Sequence, residues 1–286
     1  MSGVFSRSWE LTKLSFRVLM QDKEMLLFPF LGGLFSLLFS LALLYPTVIS
    51  GLLERGSETQ INVLGYVLTF VVYLGLAFIA TFFNVCVVYT TKVRFEGGNA
   101  TFMDSIKFAM TRLPRILAWS AVSATVGLLL HMLDQLANRL GGVGGMLVSF
   151  IQKMLGLAWS VVTVFVVPAM VYEDLGPFDA IKSSVEALKK TWGESLIRHY
   201  GLGLVKAIFL VVGVVVGIFL IIALSKLGGI GTVLGIVLLI CYVMMVILVF
   251  SVLNGVFNTA LFVYANEGQA ASAFGEDVLS GAFRAK

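Results

Sequence analysis

The sequence predicts an all-α polytopic membrane protein. Its plan is six transmembrane helices as three hairpins, each preceded by an amphipathic helix at the cytoplasmic interface. Three observations predict this. Of the 286 residues, 59% are hydrophobic and only 13% are charged. The mean hydropathy is +0.98. Several apolar runs exceed the ~18 residues that span a hydrocarbon core of ~30 Å. Backbone polar groups in lipid must pair within the segment, so the spans are helices. Barrel strands would need short alternating segments, whereas these runs are long and continuously apolar.

The spans are expected at about Leu26–Ile49, Ile61–Thr91, Arg115–Leu133, Met146–Tyr172, His199–Leu224 and Ile230–Tyr264. The fourth has an alternative start after Lys153. The second and sixth exceed what a bilayer requires, so they tilt or project beyond the headgroups. The segment before the first span carries Asp and Glu and has no apolar core, so it does not read as a cleavable signal.

Cation placement sets the orientation. Of 20 Lys and Arg, all but Arg55, Arg139, Lys153 and Lys226 fall on one side. That side is read as cytoplasmic and holds both termini, including a tail over 266–286. The connections on the other side are short. Arg139–Gly145 reads RLGGVGG, rich in small residues, and Lys226–Gly231 reads KLGGIG, a tight turn.

The connections on the basic side carry amphipathic stripes. Phe178, Ile181, Val185, Leu188, Trp192 and Leu196 recur at helical spacing after Gly176-Pro177, with Pro177 suited to a first turn. Phe5, Trp9, Thr12, Phe16 and Leu19 repeat the device before span one. Phe102, Ile106, Ala109 and Leu113 repeat it before span three, where Thr101 and Asp104 fit a capping box. Ala270, Phe274 and Val278 begin a weaker copy. A single membrane domain over 1–286 with a threefold internal repeat follows, at 1–91, 92–173 and 174–265. FNVCVVY ending at Tyr89 and FNTALFVY ending at Tyr264 are its best-matched stretches.

Such helices are expected to lie at the headgroups, apolar side down. The expected lipid-interface residues are Trp9, Phe16, Arg17, Phe102, Phe178, Lys189, Lys190 and Trp192. Anionic headgroups are the expected ligands of the cations. Glu173 and Asp174, with Pro168 and Pro177, form a cytoplasmic turn whose carboxylates are placed to pair with neighbouring Lys or Arg. Pro168 is expected to bend the fourth span near its end.

Ionisable groups deep in a span mark function by default, and none sits at a span centre. Asp134 and Lys153 lie at span ends, where a pair is conceivable and interface snorkelling is the plainer reading. Asn84, Asn254 and Asn258 are the polar groups within spans. They either bond between helices or line a polar path. Gly213-x-x-x-Gly217 and Gly231-x-x-x-Gly235 are packing devices. Cys86 and Cys241 lie inside spans without metal-ligand spacing. No catalytic motif, metal site or cofactor loop is present in the pattern, and the modest net charge of +4 gives no nucleic-acid patch.

Two stretches, SWELTKLSFRVLMQDKEMLLFPFLGG and VVPAMVYEDLGPFDAIKSSVEALKKTWGES, resemble a prokaryotic family of integral membrane proteins of unknown function. Its most specific part is the pattern Pro168, Glu173, Gly176-Pro177, Ala180, Ser184. More distantly, the chain is similar to the membrane domain attached to some glycerophosphodiester phosphodiesterases. The resemblance implies a fold and a prokaryotic plasma-membrane location. The sequence holds no phosphodiesterase catalytic segment, so that activity does not carry over. The expected role is a non-enzymatic, lipid-interacting, oligomeric membrane-organising scaffold. The rival is a transporter or channel for a lipid or small neutral solute, and an intramembrane enzyme is a third possibility.

Overall fold

In the computed structural model, which describes residues 2–53, 63–192 and 201–267, six helical segments are long and apolar enough to cross a membrane. The described residues form ten α-helices: α1 (Ser2–Gln21), α2 (Leu27–Leu53), α3 (Val63–Phe95), α4 (Phe102–Thr111), α5 (Leu113–Leu140), α6 (Gly142–Val162), α7 (Val166–Tyr172), α8 (Pro177–Trp192), α9 (Gly201–Ser225) and α10 (Gly229–Glu267). A 3-10 turn over Lys23–Leu26 joins α1 to α2. The described residues contain no strand. The expected hairpins are α2–α3, α5–α6/α7 and α9–α10, and each odd span follows a shorter helix: α1, α4 or α8.

Proline and glycine punctuate this order. Pro29, Pro114, Pro168 and Pro177 all fall in first turns, of α2, α5, α7 and α8. There the missing N–H has no intrahelical acceptor to lose. Gly141 and Gly228 take positive φ at the two tight turns, where a side chain would be strained.

The fourth span departs from expectation. It is not one helix bent near its end. It breaks at Thr163–Phe165, and Pro168 is the third residue of the new helix. A proline inside a continuous helix would clash with the carbonyl four residues back, here that of Val164. The chain therefore restarts ahead of the proline. The turn after α7 is likewise set by Asp174, at φ 57, rather than by Gly176.

The chain divides into two compact units. The first comprises Met1–Pro29, Thr90–Asn99 and Lys189–Lys286. In it α9 and α10 pack along their length, and α1 packs on both. Gly213 lies under the Tyr242 ring, whose hydroxyl donates to the Phe209 carbonyl at 2.8 Å. Gly235 brings α10 against the backbone of Ile221. These close approaches are what the two G-x-x-x-G spacings provide.

The second unit comprises Phe30–Tyr89 and Ala100–Leu188. Phe35 of α2 stacks on Phe83 of α3 with centroids 6.0 Å apart. Tyr89 of α3 stacks on Phe108 of α4 at 4.2 Å. Trp119 of α5 stacks on Trp159 of α6 at 5.8 Å.

Candidate functional site: helix faces, charge latches and an apolar cleft

The three short helices share a feature that large-residue stripes do not show. Each buries a serine completely: Ser15 in α1, Ser105 in α4 and Ser184 in α8. The local sequences are SFRVL, SIKFA and SVEAL, the same succession of serine, apolar, charged, apolar and apolar residues. Small residues let helix backbones approach closely. In α8 the buried face is Ala180, Ser184, Ala187 and Leu188, while Phe178 is 73% exposed. In α1 it is Thr12, Ser15, Val18 and Leu19, while Phe16 is 43% exposed.

The apolar stripe is thus divided. Its small residues are buried together with Leu19 and Leu188, while Phe16 and Phe178 stand exposed. Trp9 is correspondingly not turned wholly outward, since it stacks on Phe209 of α9 with centroids 6.5 Å apart. Lys13 Nζ sits 5.7 Å from the same Trp9 ring. Arg17, Lys189 and Lys190 are exposed, and Phe102 is half-buried. Trp192 closes α8, and its side chain lies outside the described ones. The weaker stripe at Ala270–Val278 lies outside the described residues, as does most of the 266–286 tail.

Ser184 shows what the buried hydroxyl does. The break between α6 and α7 leaves two backbone groups without helical partners. The Ser184 hydroxyl donates to the Val162 carbonyl at 2.6 Å and accepts from the Phe165 N–H at 3.2 Å. One side chain satisfies both sides of the gap, which would otherwise leave orphaned polar groups in an apolar interior. Ser105 bonds back to the Thr101 carbonyl at 3.3 Å. Its own carbonyl accepts from the Cys86 thiol at 3.6 Å. Cys86 is buried and Cys241 is exposed on α10, and neither is in a disulfide.

Charge pairs tie the far ends of α1 and α4 to the exits of the hairpins that follow them. Asp22, after α1, is held by Arg94 at the end of α3; Arg94 Nε donates to Oδ2 at 2.6 Å and Nη2 to Oδ1. Arg94 also donates to Asn99 at 2.8 Å. In the second hairpin the signs are exchanged. Arg112, between α4 and α5, and Arg115, at 2.5 Å, both meet Asp174 after α7. Glu173 accepts from the Ser183 hydroxyl at 2.8 Å. The carboxylates of the 168–177 turn therefore have partners on α5 and α8. No ion pair joins Asp134 to Lys153 among the described residues, and both are exposed.

A different site emerges on the far part of α5. Gly127, His131, Gln135 and Arg139 step by four along one face. Tyr73 of α3 packs on Gly127 and meets His131 edge-on at 6.2 Å. Tyr66 donates to Gln135 Oε1 at 3.2 Å, and the Gln135 amide nitrogen lies 3.0 Å from His131 Nε2. Beside this polar seam lies an apolar cleft of about 840 Å³ between α5, α6 and the start of α3. Tyr66, Gln135 and Arg139 line it together with Val126, Trp159 and Val162. Its volume falls in the ~300–1,000 Å³ range of small-ligand sites. The first unit has a smaller apolar cleft of about 480 Å³ under α1, lined by Trp9, Phe16, Phe209 and Tyr242.

The in-span asparagines line neither cleft. Asn84 and Asn254 are exposed and Asn258 is half-buried. Sequence reasoning missed the cleft, although the step of four from Gly127 to Arg139 was its visible signal.

Residues 63–272 match a family of unknown function, DUF6159. With this fold, that match over most of its length places the chain in a class of multi-pass α-helical membrane proteins; it belongs to the DUF6159 family. No curated protein matches it.

Proposed function

We propose that this protein is a non-enzymatic, lipid-interacting membrane-organising scaffold of a prokaryotic plasma membrane, assembled as a homo-oligomer with both termini cytoplasmic. One observation carries the reading. The short helices dock their small-residue faces on spans and leave large apolar residues exposed beside cations, as with Phe16 next to Arg17. An apolar residue beside a charge is what an interfacial helix offers to acyl chains and headgroups. Each cation near an anionic surface adds about 1 kcal/mol.

The test is a variant carrying Phe178→Ala, Lys189→Gln and Lys190→Gln, reconstituted in bilayers with and without anionic lipid. Wild type should gain thermal stability and ordered assembly from anionic lipid, and the variant should lose most of that gain. Equal gains in the two proteins would end the proposal.

The transport alternative rests on the broken fourth span, since discontinuous helices are a device of transporters. Against it, the break is closed by Ser184, and Phe165 within it is fully buried. A cysteine placed at Asn258 that reacts with aqueous thiol reagents would revive it. The distant likeness to a phosphodiesterase membrane domain supports an accessory membrane role and no hydrolytic one.

A further inference from the structure

We infer that the cleft between α5, α6 and the start of α3 is a binding site for one anionic phospholipid, with its headgroup at Arg139 and an acyl chain running down to Trp159. The inference takes lipid as ligand, as the scaffold reading does, but uses none of the residues of the interfacial helices.

Three observations commit the cleft to this occupant. First, its polarity is one-ended. Tyr66, Gln135 and Arg139 stand at one end and Val126, Trp159 and Val162 at the other, with apolar side chains between. That is the amphiphile's own pattern, whereas a second copy's apolar span would leave the polar end unmatched.

Second, the length fits. Thirteen residues separate Val126 from Arg139 on α5, or about 20 Å at ~1.5 Å per residue. One leaflet of the hydrocarbon core is about 15 Å deep. A chain laid in the cleft would bring its headgroup to Arg139 at the helix end.

Third, the charge is uncompensated. Arg139 is exposed and lies within ion-pair distance of no carboxylate among the described residues. Asp134 is not among the cleft's lining. A guanidinium pairs with phosphate through a rigid fork of donors. Beside it, Gln135 is oriented by Tyr66 and His131 and keeps a further amide N–H. The site is therefore a cation and a fixed polar group above a dry slot.

Native mass spectrometry of the full chain in nanodiscs of equal phosphatidylglycerol and phosphatidylcholine tests this. Wild type should retain one phosphatidylglycerol per chain under activation that strips bulk lipid. Arg139→Gln should lower the retained glycerol-to-choline lipid ratio about fivefold, the effect of one surface cation. Ala158→Trp, at an exposed position lining the cleft, should reduce retention of both lipids alike. No stoichiometric lipid in wild type, or an unchanged ratio in Arg139→Gln, would overturn the site. So would a lipid-free dimer that Ala158→Trp dissolves, because a second copy would then fill the cleft. The Phe178, Lys189 and Lys190 variant should retain the lipid as wild type does. The scaffold reading and this site can therefore fail separately.

Discussion

Arg94 grips Asp22 through both nitrogens of its fork, across 72 residues of chain. Asp22 is buried and Arg94 partly so. Hydrogen bonds to charged groups contribute about 1.5–3 kcal/mol each, and a buried charge stripped of its partner costs more than the pair gained. Arg94→Gln should therefore destabilise the protein by about 2–3 kcal/mol. Arg94→Lys should recover only part of that, because a point charge cannot reproduce the bidentate fork. The second hairpin uses the same link with the signs exchanged, in Arg112, Arg115 and Asp174. The double exchange Asp22→Arg with Arg94→Asp should accordingly be more stable than either single change. Thermal unfolding in nanodiscs measures all five variants. An additive double variant would show that the two residues act separately.

Ser184 and Ser15 are the fully buried serines of α8 and α1 and should respond oppositely. Ser184→Ala would orphan both the Val162 carbonyl and the Phe165 N–H, at a cost of about 1–3 kcal/mol for each group left unpaired. The Ser15 hydroxyl is buried with no hydrogen-bond partner among the described residues. Ser15→Ala removes only an unsatisfied polar atom and should be neutral or stabilising. Hydrogen exchange at Phe165 gives a local readout. If Ser184→Ala leaves it as protected as in wild type, the hydroxyl is not what holds the break.

That contrast also marks where sequence reading stopped. The spans were legible because a bilayer forces ~20 apolar residues into each helix. Their ends were less so. α5 runs on to Leu140 rather than stopping near Leu133, because HMLDQLANRL loses hydropathy without losing helix propensity. The short helices were legible from the spacing of Phe and Ile, but their docking face was not. Of the small residues that permit close approach, Thr12 and Ala109 stood on those stripes, but Ser15, Ser105, Ala180 and Ser184 did not. Pro168 signalled the break in span four but not its position, since the proline acts on the turn before it. The cleft had a signal in Gly127, His131, Gln135 and Arg139. Its value depended on Tyr66 and Tyr73 arriving from α3, a pairing that spacing along one chain cannot reveal.

The α9–α10 pairing gives a third expectation. A Cβ on Gly213 would strike the Tyr242 ring, and one on Gly235 would lie 3.0 Å from the Ile221 Cα, which cannot swing aside as a side chain can. Gly213→Val and Gly235→Val should each separate the two helices at a cost of about 1–3 kcal/mol. Gly33 meets nothing within 4 Å. Gly33→Ala should be neutral or slightly stabilising, since alanine has the higher helix propensity. Unfolding midpoints of the three variants check this, and a Gly33→Ala loss equal to that of Gly235→Val would show that helix flexibility, not close packing, is what these glycines supply.

The last expectation concerns pH at the start of α4. The Thr101 hydroxyl donates to Asp104 at 2.7 Å while accepting the Asp104 backbone N–H, and the Thr101 N–H donates back to the carboxylate at 3.1 Å. Thr101, through its hydroxyl first and its backbone second, holds the Asp104 carboxyl below its ordinary value of 3.8. A carboxyl whose pKa is lowered by folding stabilises the fold at pH values above the ordinary one. That contribution is lost as pH falls through the lower, folded value. The first turn of α4 should therefore be intact at pH 5 and above and should fray only below about 3.8. Asp104→Asn should fray it at neutral pH and remove the acid-dependent step. Amide exchange at Asp104 and Ser105, the N–H groups bonded to Thr101, reads the turn directly. If Asp104→Asn keeps the acid step, another carboxylate controls it, and the capping box contributes shape rather than charge.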